Sequence, residues 1–209
     1  MTAPTTTRYA EANIPTEYGT FRVYAYREQG SPHEHLAIVA GDVRGKANVL
    51  ARVHSECLTG EVLHSLKCDC REQLDLAFRR IAANGEGVVL YLRQEGRGIG
   101  LGNKLRAYAL QEQGVDTVDA NTQLGFEPDH RRYHVAAEIL ADLGVRSIAL
   151  LTNNPAKVEA LRADGVVVAR RMEHEVESNE VNRGYLETKR SRMGHLLALE
   201  AAHTPYDAE

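Results

Sequence analysis

Apolar positions along the chain change their spacing as the sequence proceeds. Over residues 19–26, Phe21, Val23 and Ala25 alternate with Arg22, Tyr24 and Tyr26, which predicts a half-buried strand. Residues 35–40 and 47–54 read as two further strands, so the first third predicts an antiparallel β unit. The period then lengthens. Leu74, Ala77, Phe78 and Ile81 recur at helical spacing, and Gly85 supplies a stop. Val88 to Leu92 is a continuous apolar run, as suits a strand covered on both faces. A second helix carries Leu101, Leu105, Tyr108 and Ala109 and ends near Gly114, and a third carries Val135, Ile139, Leu140 and Leu143 before Gly144. A strand over 147–152, a helix over 155–164 and a strand over 166–170 continue the alternation. Residues 171–184 show no period and read as a loop, and residues 185–199 read as a last helix. The pattern predicts an α/β fold: a layered mixed β-sheet with helices on both faces and antiparallel strands at the N-terminal end.

Length and composition narrow this to one domain over residues 1–209, with 1–12 and 200–209 expected to be flexible. Apolar residues make up 43% and charged residues 26%, so a proper core is within reach. A net charge of −4 gives no support for a nucleic-acid or membrane surface. No apolar run approaches the roughly 20 residues of a membrane span. Nothing resembles a secretory leader, and a cytoplasmic compartment is expected, where thiols stay reduced.

That compartment makes the cysteines informative. The chain has three, Cys57, Cys68 and Cys70, all inside one short window. An odd number leaves one unpaired in any intrachain disulfide scheme. Three thiolates suit a zinc site that keeps its fourth position open for chemistry, whereas a structural site closes with a fourth protein ligand. His54 or His64 could provide that ligand, and cysteine also occurs as a small apolar core residue. Both alternatives stay open on spacing alone.

Three places could hold an anion. Residues 94–104 (Gln-Glu-Gly-Arg-Gly-Ile-Gly-Leu-Gly-Asn-Lys) follow a predicted strand and open a helix, with glycine at every second position and Arg93, Arg97 and Lys104 as fixed charge. A mobile surface loop is the plain alternative. Asn154 and Pro155 suit an N-cap and a first helical position, but Lys157 then sits against the positive helix end. A bound phosphate would reverse that cost, and solvation of a long lysine is the other reading. Asp129 could cap the third helix, with His130, Arg131 and Arg132 crowding its first turn. Together these basic helix ends point to a polyphosphate ligand.

The motifs themselves are recognisable. Arg52-Val-His-Ser-Glu-Cys-Leu-Thr-Gly60, Ser65-Leu-Lys-Cys-Asp-Cys70, Arg93-Gln-Glu-Gly-Arg-Gly-Ile-Gly-Leu101, Asn103-Lys-Leu-Arg-Ala-Tyr-Ala-Leu-Gln111 and Leu151-Thr-Asn-Asn-Pro155 resemble the GTP cyclohydrolase II family of riboflavin synthesis. The likeness runs from about residue 13 to about residue 197. It implies that Cys57, Cys68 and Cys70 hold zinc with water as fourth ligand. It implies GTP contacts from Arg52, Val53, His54, Ser55, Glu56, Gln73, Glu95, Gly96, Arg97, Thr117, Thr152 and Lys157. In the same resemblance Asp129 is the proton acceptor, Arg131 the nucleophile and Tyr108 the active-site tyrosine. Formate and pyrophosphate are the implied by-products, Mg²⁺ accompanies the phosphates, and the implied assembly is a homodimer. Arg71, Glu72, Gly102 and His64 depart from the family's usual residues without removing a matched catalytic one. The alternatives are a relative that opens the imidazole ring but keeps the formyl group, a zinc nucleobase deaminase, whose Pro-Cys-x-x-Cys pattern is absent here, and a non-catalytic nucleotide binder.

Overall fold

Every strand among the described residues joins one sheet. A computed structural model describes residues 5–127 and 129–198, with the backbone alone for Thr117 and Val118. Four strands come first, β1 (Thr6–Thr16), β2 (Gly19–Glu28), β3 (Glu34–Ala40) and β4 (Val49–Ser55). A short helix α1 (Leu58–Glu61) and the longer α2 (Cys70–Asn84) lead to β5 (Gly87–Leu92). A 3₁₀ turn (Glu95–Gly98), α3 (Gly100–Glu112), α4 (Thr117–Gln123) and α5 (His134–Asp142) precede β6 (Ile148–Leu151). The series closes with α6 (Pro155–Ala163), β7 (Val168–Met172) and α7 (Arg183–Met193).

The seven strands lie in the order β1-β2-β3-β5-β4-β6-β7. β1, β2, β3 and β5 pair antiparallel, whereas β5, β4, β6 and β7 run parallel. The expected mixed sheet with N-terminal antiparallel strands is the observed one, except that β4, expected in the antiparallel unit, runs parallel to both its neighbours and β1 takes its place there. Both of its faces are covered. Val88, Leu90 and Leu92 of β5 pack with Val53 of β4 against Val135 and Ile139 of α5 and Leu161 of α6. Val89, from the same apolar run, points the other way and joins Ala77 and Ile81 of α2. That is why β5 carries no polar alternation. No helix among the described residues is long and apolar enough to cross a membrane.

The arrangement decides where a ligand can sit. β5 and β6 flank β4, so the chain leaves the C-terminal end of β4 toward one neighbour and later returns on its other side. Loops therefore diverge above these ends, which is where open α/β sheets form binding crevices. The loops here begin at Glu56, Arg93 and Thr152.

Several expectations are corrected. Residues 6–12 belong to β1 rather than to a flexible end, paired with β2 and tied to α5 by Arg8, whose Nε donates to Asp142 at 3.0 Å. Most of β1 is exposed, so it has no apolar alternation to betray it. α4 is a short polar helix that was also missed. β7 reaches Met172, two residues into the expected loop. α7 stops at Met193, where Gly194 takes φ +65°, rather than continuing to Leu199, which lies outside the described residues. Asp129 caps no helix, because α5 starts only at His134. Residues 1–4 and 199–209 also lie outside the described residues.

Candidate active site

The three cysteines converge. Their sulfur atoms all lie within 4.8 Å of one another, Cys57 and Cys68 being 3.7 Å apart. That is far beyond a disulfide bond, and it matches the edge of about 3.8 Å of a tetrahedron with zinc–sulfur bonds of about 2.3 Å. Gly60 leaves the room. A Cβ added there would lie 2.9 Å from the Cys68 sulfur and 3.3 Å from that of Cys57. Hydrogen bonds from Cys68 and Cys70 hold the Cys57 thiol well below its ordinary range, and the same sharing pushes Cys68 and Cys70 up. Such a trio cannot carry three negative charges without a cation, and its donor set fits zinc.

Neither histidine closes the site. His54 Nε2 lies 2.8 Å from Glu61 Oε1, and His64 Nδ1 lies 3.0 Å from Arg71 Nη1. Among the described residues the three cysteines alone form a metal-binding group. Cys57 and Cys70 face an open cleft beside the sheet edge.

Buried carboxylates hold the cysteine loops in place. Glu61 accepts from the Cys57 N–H at 3.0 Å and from the Tyr91 hydroxyl at 2.6 Å. Glu95 accepts from the N–H of Leu58 at 2.6 Å, which anchors the start of α1, and from that of Gly96 at 2.7 Å. Its Oε1 also takes the Lys104 ammonium at 2.8 Å, and that ammonium donates to the Cys57 sulfur at 3.1 Å. Asp69 stands between two of the cysteines, accepting from Lys189 at 2.8 Å and from Gln73 at 2.5 Å. Burial opposes its charge, but Lys189 holds the carboxyl below its usual value.

Cationic side chains crowd the cleft itself. Arg52, Arg97, Lys104, Arg131, Lys157 and Lys189 all line it, against the carboxylates of Glu56 and Glu95. Lys157 is only 5% exposed, so the solvated-lysine reading fails; its ammonium donates to the Val53 carbonyl at 2.7 Å. Burial, reinforced by Arg52 and Arg131, pushes its pKa well down. Burial likewise brings Arg52 down to about 10. Buried cations that destabilise one another in this way call for an anion. Arg97 reaches the cleft from a left-handed backbone at φ +60°, between Gly96 and Gly98, a conformation costly for any residue but glycine. Gly98 permits the close approach of this turn to residue 130, for a Cβ there would meet the His130 Cβ at 3.0 Å.

Arg131 donates through Nε to Asp129 Oδ1 at 2.8 Å and through Nη2 to Oδ2 at 2.5 Å. Burial works against its charge, but Tyr133 and Asp129 outweigh burial and raise its pKa. It is a fixed, charged fork. Tyr108 sits one helical turn beyond Lys104 on α3, and burial raises its phenol to about 12 despite that ammonium. It is no member of a core stripe, since Leu105 is 51% exposed.

Of the residues expected from the sequence, Arg52, His54, Ser55, Glu56, Gln73, Glu95, Gly96, Arg97, Thr152 and Lys157 line this one cleft with Tyr108 and Arg131. Val53 contributes its carbonyl and Asp129 stands behind Arg131. The side chain of Thr117 lies outside the described residues. Lys104 was seen only as loose charge, and Asp69, Lys189, Tyr185 and His195 were missed. Asp69 carried a signal in its place between Cys68 and Cys70. Expected for Gly60→Ala is at least a tenfold loss of zinc affinity, with melting little changed because alanine suits a helix. Zinc retained against a chelator as in the parent would show that the cradle tolerates a methyl.

The chain is also similar to known proteins. Residues 7–173 match the family described as GTP cyclohydrolase II. GTP cyclohydrolase-2 of Actinobacillus succinogenes is 52% identical over 91% of this chain and 88% of its own length. That of Hahella chejuensis is 53% identical, over 91% and 92%. The riboflavin biosynthesis protein RibBA of Bacillus subtilis is 55% identical over 91% of this chain, which spans 48% of that longer protein. On this match and these identities, the chain belongs to the GTP cyclohydrolase II family.

Proposed function

We propose that this protein hydrolyses GTP to 2,5-diamino-6-(5-phospho-D-ribosylamino)pyrimidin-4(3H)-one, formate and pyrophosphate, the committing step of riboflavin synthesis. The observation that carries the reading is the convergence of three sulfurs within 4.8 Å of one another beside a single cleft lined by six cationic side chains. Zinc held by Cys57, Cys68 and Cys70 would supply water ionised near neutral pH and a Lewis-acid contact.

The remaining roles fall to the chain's own groups. Lys157 and Arg97 would take the phosphates, with Mg²⁺ neutralising further charge there, and the anion would offset the repulsion that Arg52 and Arg131 exert on Lys157. Arg131 is assigned to the α-phosphate as a clamp rather than as a nucleophile. A guanidinium that stays protonated and already binds Asp129 through two nitrogens has no lone pair to offer. Asp129 orients it. Tyr108, protonated at neutral pH, donates a proton to a ring nitrogen as the imidazole opens. A cytoplasmic homodimer that needs neither nucleic acid nor membrane completes the reading.

Product analysis after incubation with GTP and Mg²⁺ tests it. Formate and pyrophosphate in step are expected. A formamidopyrimidine without formate would mark the relative that stops early, ammonia a deaminase, and unchanged GTP a binder. Tyr108→Phe is expected to keep zinc and melting temperature while formate release falls by roughly 10²-fold or more. Release at the parent rate would make Tyr108 a packing residue. Arg131→Lys keeps the charge but loses the planar fork, and turnover is expected to fall by about 10²-fold with zinc content unchanged. Near-parent turnover would remove Arg131 from the site.

A further inference from the structure

A site of three thiolates poses an electronic problem. The sulfurs donate so strongly that a zinc ion among them is a weaker acid than one among histidines, and with Zn²⁺ the cluster still carries a net charge of about −1. Something must withdraw charge from the sulfurs. The side chain placed to do so is Lys104, which the family resemblance leaves without a role.

We propose that Lys104 is a positioning residue of the metal centre, its ammonium hydrogen-bonding the Cys57 sulfur and so weakening that thiolate as a donor. This rests on the zinc reading above. The nitrogen lies 3.1 Å from the Cys57 sulfur, well within hydrogen-bond range for sulfur. Its side chain is only 12% exposed, so water does not compete freely for the charge. The ammonium is also tethered. Glu95 Oε1 accepts from it at 2.8 Å, and Glu95 is fixed in turn by the N–H groups of Leu58 and Gly96. One carboxylate thus ties the start of α1, which follows Cys57 directly, to the lysine that polarises Cys57. Of the other lysines near the cysteines, Lys67 turns away to Glu112 at 3.2 Å and lies over the Tyr108 ring, and Lys189 is held by Asp69 at 2.8 Å. Position matters as much as charge. Residues 104 and 108 share a face of α3 one turn apart, so the helix presents a cation to the metal ligand and a phenol to the cleft from one rigid element.

A hydrogen bond to a ligating sulfur lowers the energy of its lone pairs, and this can be read without turnover. Cobalt(II) replaces zinc in thiolate sites and gives a sulfur-to-cobalt charge-transfer band. In cobalt-loaded full-length protein, Lys104→Met is expected to move that band to longer wavelength, and Lys104→Arg to return part of the shift. In the zinc form, kcat for formate release is expected to fall about tenfold in Lys104→Met, while KM for GTP stays within about twofold. Lys104→Gln is carried in parallel so that an unstable methionine variant does not decide the matter. A band that does not move in Lys104→Met or Lys104→Gln overturns the proposal. A raised KM with an unmoved band also overturns it and makes Lys104 a phosphate contact. Parent protein that takes up neither zinc nor cobalt overturns the zinc reading itself, and this inference with it.

Discussion

Three sulfur atoms within 4.8 Å of one another in a largely buried corner can coexist as thiolates only around a cation. Much of the surrounding structure serves that requirement. Gly60 gives up its side chain so that the sulfurs can meet. Glu61 and Glu95 hold the backbone on either side of Cys57, and Asp69 pins the turn that carries Cys68 and Cys70 to α7 through Lys189. These contacts are neutralised or satisfied within the protein. Cys57 and Cys70 themselves face the cleft.

The cations of the cleft are unbalanced the other way. Arg131 and Lys189 have carboxylate partners, but Lys157 meets a carbonyl and the Tyr133 ring, and a buried nitrogen of Arg97 has no hydrogen-bond partner among the described residues. A protein that buries cations beside one another loses stability unless a ligand repays it. The proposed substrate, a nucleoside triphosphate, would supply the anion these cations lack. The sheet makes the juxtaposition of sulfurs and cations possible, because β4, β5 and β6 end at one edge and deliver the cysteine loop, the glycine-rich turn and the Thr152 segment together.

Much of this was legible in the residues, and the failures share a cause. Apolar periodicity identified β5 and α2 because their side chains face a core on a regular repeat. It could not identify β1, whose side chains are mostly exposed and whose place is set by backbone pairing with β2. The cysteine spacing pointed to a metal site while leaving core cysteines as an alternative, and only the fold brings the three sulfurs within 4.8 Å of one another. Lys104, Lys157 and Lys189 were harder. A lysine on a helix reads as a solvated face, and only the packing of α3, α6 and α7 around the sheet edge shows that these turn inward. The motif carrying Asp129 and Arg131 was read as a crowded helix start, whereas it is irregular chain held against residues 95–98 by the His130 N–H, which donates to the Arg97 carbonyl at 3.0 Å. The charges had been noticed for a reason that proved incorrect, although they do gather at the cleft.

The central claim is an open three-sulfur metal centre, and zinc-edge X-ray absorption on the purified, zinc-loaded protein tests it most directly. Expected are three sulfur scatterers at about 2.3 Å and one oxygen at about 2.0 to 2.2 Å, with no imidazole signature. A fourth protein ligand, whether a sulfur or a histidine ring, would contradict the account by closing the position on which the chemistry depends.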